Sequence, residues 1–176
     1  MATTTSFPLL RRALLIVAGL AAAACTVLQP VQTGQALLGS TEARVRATFG
    51  EPTDIYRLED GTIRWIYSKQ PLGQQSYAAD FDSRGKLSSF RQMLTTPELY
   101  KAQVGVWTKR DVAERFGLPR EPTLYFPRMQ QEVWSYRFLH EDNWPSLFNF
   151  YFDNAGVLRR TQVSPDPLAD PREGWM

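Results

Sequence analysis

The sequence predicts an α+β protein made of two tandem copies of one small unit, each with two short helices packed on a three-stranded antiparallel sheet. Three observations predict it. RVRATFGEP at residues 44–52 returns as DVAERFGLP at 111–119, the hydrophobic period switches from helical to alternating after each of these prolines, and a hairpin pattern follows each switch. The size agrees, since 176 residues with 43% hydrophobic content make one ordinary domain or two very small ones.

Residues 1–24 read as a targeting segment rather than as structure. MATTTSFPLLRR supplies a short positive region, and ALLIVAGLAAAA is an apolar run closing on small side chains. A spanning helix needs roughly 20 apolar residues, and Thr26, Gln29 and Pro30 interrupt the pattern first. Cys25 follows the run and is the single cysteine, so it has no partner for an intramolecular disulfide. LAAAAC is similar to a bacterial lipoprotein signal, which implies an acylated Cys25 as the first mature residue. In such proteins a residue other than aspartate after the cysteine, here Thr26, implies transfer to the outer membrane. Ordinary cleavage after Ala24, leaving a free thiol, is the alternative. Residues 25–33 hold no sustained period and a proline, and read as a tether, with structure expected from near Gln35.

The two units follow, at 34–95 and 96–163. Thr41, Val45, Phe49, Gly50 and Pro52 recur at one spacing as Thr108, Val112, Phe116, Gly117 and Pro119. Trp65 and Tyr67 recur as Trp134 and Tyr136, and Phe81, Asp82, Gly85 and Leu87 recur as Phe152, Asp153, Gly156 and Leu158. So many matches kept in order mark a duplication. Each helix phrase has a threonine to cap it, an apolar pair at i and i+4, a glycine able to turn left-handed, and a proline that cannot continue. Asp111 stands three residues after Thr108, the spacing of a capping box. Thr96-Pro97-Glu98 opens another helix, to be closed by Gly105, while the matching helix near QALL at 35–38 is weakly written. TIRWIYS and EVWSYRF alternate as strands, and YAADFDSRGKLSSFRQM and SLFNFYFDNAGVLRRTQV read as strand, turn and strand.

These elements resemble the SmpA/OmlA/BamE outer-membrane lipoproteins. The likeness rests on the T-x-x-x-V-x-x-x-F-G-x-P helix, the W-x-Y strand and the F-D-x-x-G-x-L hairpin, each present twice. It implies a non-catalytic lipoprotein at the periplasmic face of the outer membrane, an accessory in envelope or β-barrel assembly whose partners are outer-membrane lipid and barrel-assembly components. Such family members usually carry one domain, not two. A tandem pair also resembles secreted β-lactamase inhibitor proteins, which implies the alternative of a binder of a periplasmic or secreted enzyme.

Charge and chemistry narrow the classes. Arg11 and Arg12 are the only charged residues before Cys25, and the remaining 18 basic side chains balance 18 acidic ones, so no basic excess favours nucleic acid. No Gly-x-Ser-x-Gly elbow, phosphate loop or paired-cysteine spacing appears, and no cofactor or metal is expected. His140-Glu141-Asp142 reads as a solvated hairpin loop, and Asp82 and Asp153 as turn residues. Trp65, Tyr67, Trp134 and Tyr136 are expected in the core, and Phe148, Phe150 and Phe152 beneath the helices. Trp107, Tyr125, Phe126 and Trp144 have no aromatic counterpart in the first unit and are the candidates for a partner surface. Residues 164–176 form a proline-rich tail, whose Trp175 would dock on a partner or on the body.

Overall fold

The structure, a computed structural model, describes residues 29–169. Its elements in chain order are α1 (Pro30–Ala36), α2 (Glu42–Phe49), β1 (Asp54–Arg57), β2 (Ile63–Ser68), β3 (Ser76–Phe81), β4 (Leu87–Gln92), α3 (Thr96–Leu99), α4 (Lys109–Phe116), β5 (Leu124–Phe126), β6 (Gln131–His140), β7 (Trp144–Phe152) and β8 (Leu158–Pro165). The strands form two antiparallel sheets, β1-β2-β3-β4 and β5-β6-β7-β8. The fold is α+β, and the two halves repeat one plan. Trp65 faces Ala79 across one sheet as Trp134 faces Phe150 across the other. Each third strand slips register at the same place, between Asp80 and Phe81 and between Tyr151 and Phe152.

Each sheet has four strands where the sequence predicts three. The added members, β1 and β5, are edge strands of four and three residues, too short to write an alternation of their own. Thr53 locks β1 in place, its N–H and hydroxyl both donating to the Ile66 carbonyl at 2.7 and 2.9 Å. The folded body also starts earlier than Gln35. Pro30 opens α1 at a first-turn position that needs no N–H, and Gly34 lies so close to Phe90 that a β-carbon would sit 2.2 Å from the ring. Part of the expected tether is therefore helix. At the other end β8 runs to Pro165, and Asp166, 4% exposed, pairs with Arg137, so the first residues of the expected tail belong to the fold.

The local signals behave as their chemistry requires. Thr108 and Asp111 make a capping box, each side chain bonding the other's backbone N–H. Thr41 stands at the N-cap of α2 without a side-chain bond. Gly50 and Gly117 end α2 and α4 at positive φ of 83° and 85°. Asp82 accepts from the N–H groups of Arg84 and Lys86, and Asp153 from those of Ala155 and Val157. These bonds hold both carboxyls below their ordinary range. The α3 helix stops at Leu99, and Gly105 instead donates to the Leu158 carbonyl.

Two cores set the layers. In the first, Val45 and Phe49 of α2 cover Trp65, Tyr67, Phe81 and Phe90 on one face of the first sheet. The second joins Val112 and Phe116 of α4 to Tyr136, Phe148 and Phe150 of the second sheet, and to Ile66 and Ala78 on the other face of the first sheet. The α4 helix therefore serves both sheets. Its carboxyl end is tied down by Ser76, whose hydroxyl donates to the Phe116 carbonyl, and by Arg64, which donates to the Glu114 carbonyl while its guanidinium holds Asp80. The side-chain amide of Gln70, in the β2–β3 turn, bonds both the N–H and the carbonyl of Arg137 on the side of β6 that short β5 does not reach.

Candidate functional site

A cleft of about 500 Å³ lies between the β1–β2 turn and α4, and its wall is charged. Most of those charges already have partners. Arg110 pairs with Glu114, Asp111 completes the capping box, Asp60 accepts from the Thr62 N–H, and the Arg115 guanidinium lies 4.5 Å over the Trp107 ring. Among the described residues no group of three or more His, Cys, Asp or Glu is placed to hold a metal ion. Burial pushes the Tyr136 hydroxyl up, but it donates to the Gly117 carbonyl at 2.8 Å and fixes the end of α4. Glu132 is held below its ordinary range by bonds from Lys109 and Trp134, a strand-to-helix link within the second unit.

The exposed features are apolar and lie on the second unit. Residues 122–130 are solvent-exposed without interruption, and the β5–β6 hairpin they form carries Leu124, Tyr125, Phe126 and Met129, each at least 40% exposed. Its edge differs from the matching edge of the first sheet. There β1 carries Asp54, paired with Arg120 at 2.6 Å, and Arg57, whereas β5 carries no charge. A charged edge strand discourages pairing with another chain, and β5 lacks that protection. Tyr125 also donates to Asn154 at 3.3 Å, linking the hairpin to the β7–β8 turn.

The residues singled out from sequence divide by position. Tyr125 and Phe126 fall together on the hairpin. Trp144, 64% exposed, lies at the opposite end of the ten-residue β6, beside a groove formed with Pro145, Val163 and Pro165. Trp107 is not a surface residue, being 6% exposed. It immediately precedes the cap of α4 and joins Val112 in one core, the arrangement of a hydrophobic staple. The spacing from residue 107 to 112 carried that signal. Leu124 and Met129 belong to the exposed hairpin although neither is aromatic, and the legible cue was a strand edge without charge. Cys25 and Trp175 lie outside the described residues. Among the described residues, no helix is long and apolar enough to cross a membrane.

No protein-family model matches the chain. No curated protein matches it either. Among solved structures it is similar, with 16% identity and a TM-score of 0.30, to an extracellular protein containing an SCP domain from Bacillus anthracis str. Ames. The alignment covers 75% of this chain and 45% of that one, and a score so low defines no shared fold.

Proposed function

We propose that the protein is a non-catalytic lipoprotein of the SmpA/OmlA/BamE type, held by acylated Cys25 at the periplasmic face of the outer membrane and serving as a protein-binding scaffold in envelope or barrel assembly. The observation that carries the binding role is the uncharged β5 edge with Leu124, Tyr125, Phe126 and Met129 exposed around it. A strand edge of this kind takes up an extended segment of a partner by main-chain hydrogen bonds, with the flanking side chains selecting it. Duplicated helix, strand and hairpin phrases and the LAAAAC sequence support the family and the anchor.

A second reading, an enzyme-binding inhibitor, draws on the outer face of the second sheet, where Arg160 and Gln162 are exposed and no helix covers them. The first sheet offers no such face, because α4 occupies it. Affinity capture from solubilised envelopes separates the two. Recovery of barrel-assembly components, lost on Phe126→Asp, supports the scaffold; recovery of a hydrolase that survives Phe126→Asp replaces it with the inhibitor. Cys25→Ser is expected to release the protein from membranes, and an unchanged membrane fraction refutes the anchor.

A further inference from the structure

We infer that the end of the body opposite the β5–β6 hairpin rests on the bilayer surface through Leu72, Trp144 and Leu168, so that the lipid anchor and this apolar face hold the protein in one orientation. Leu72 is 89% exposed, Trp144 64% and Leu168 70%. They come from three separate segments that the fold gathers. Gln70, two residues before Leu72, is bonded to the backbone of Arg137, and the Arg137 guanidinium pairs with Asp166, two residues before Leu168. The Asp166 N–H in turn donates to the carbonyl of Pro145, next to Trp144. Arg137 also pairs with Glu121 and is 5% exposed, so a buried cluster of one guanidinium and two carboxylates ties together the segments that carry Leu72, Trp144 and Leu168.

The start of the folded body decides what covers this face. Pro30 lines a cleft with Tyr67, Lys69, Gln75 and Tyr77, and Lys69 and Gln75 flank the turn that carries Leu72. Only four residues lie between Cys25 and Pro30, a reach of five residue steps. A chain of that length spans at most about 18 Å. An acyl group on Cys25 therefore keeps the Leu72 turn close to the membrane, whereas β6 carries the hairpin away from it. A tryptophan with an apolar body and a polar N–H suits the interfacial layer, and leucine side chains on turns can enter it without moving the backbone. Exposed Glu141 and Asp142 beside Trp144, against Lys69 beside Leu72, give this end no positive excess, so the surface it fits is a zwitterionic phospholipid rather than a strongly anionic one.

The inference rests on the anchor proposed above, and the test separates the two. Purified acylated full-length mature protein is placed in phosphatidylcholine vesicles. Leu72→Cys, Trp144→Cys, Leu168→Cys and, as the far-end reference, Leu124→Cys are each labelled with a polarity-sensitive fluorophore, which is unambiguous because Cys25 is the single native cysteine and its sulfur is blocked. Quenching by nitroxide-bearing lipid is expected to be several-fold stronger at the first three positions than at Leu124→Cys. Equal quenching at all four in protein that stays with the vesicles overturns the inference, as does protection from aqueous iodide without lipid quenching. Label uptake by the unsubstituted protein, together with its failure to float with vesicles, overturns the anchor instead.

Discussion

Helices cover both faces of the first sheet and one face of the second, although both sheets follow the same strand pattern. Trp65 and Trp134 look toward their own helices in the same way. On the reverse face the units part. Ile66 and Ala78 of the first sheet meet α4, while the residues at the matching places, Ser135 and Asn149, bond to each other at 2.7 Å on a face without a helix. Two halves of one plan thus form a layered body because a few side chains differ on one face of one sheet. Small or branched apolar residues invite a neighbouring layer, and hydrogen-bonded polar ones end the stack.

Exchanging residues between the matched positions tests this most strongly. Ile66→Ser removes a fully buried side chain and leaves a hydroxyl facing α4, and is expected to cost about 3–5 kcal/mol in denaturant unfolding. The reciprocal Ser135→Ile is expected to stay within about 1 kcal/mol. Equal costs would mean that the two reverse faces are not different environments. The caps offer a smaller contrast. Thr108→Ala loses a capping box and should cost about 1 kcal/mol, while Thr41→Ala, which breaks no side-chain cap bond, should cost a few tenths at most. A loss at Thr41 equal to that at Thr108 would contradict the described geometry.

The smallest effect is alkaline. Burial pushes the Tyr67 hydroxyl up to about 12 and raises the Tyr136 hydroxyl well above its ordinary value. A raised folded value means that the stabilisation is complete below the unfolded tyrosine range near 10 and is lost as pH rises through the folded value. Stability measured against pH should therefore decline above that range, and Tyr67→Phe and Tyr136→Phe should each flatten the decline. A decline left unchanged by both variants would mean that neither hydroxyl is held neutral by the fold.

What could be read from the chain follows from what each signal records. Glycines, prolines and turn aspartates act within a few residues, so Gly50, Gly117, Asp82 and Asp153 announced their turns, and the recurring phrases announced two sheets of one strand order. The burial of Ile66 and Ala78 by α4 depends on side chains tens of residues away, and no local period states it. Edge strands β1 and β5 were missed because three or four residues make no pattern. Of the candidate site, Tyr125, Phe126 and Trp144 were named from being unmatched aromatics, and they are exposed. The same criterion failed for Trp107, since an unmatched aromatic before a helix cap can be a staple as easily as a contact.

Sharing α4 between two sheets also imposes an order in time. A chain delivered amino end first completes β4 at Gln92 before Phe116 has emerged, and until then Ile66 and Ala78 face water on a sheet otherwise ready to close. The first copy is thus the later one to finish, waiting on a helix written in the second.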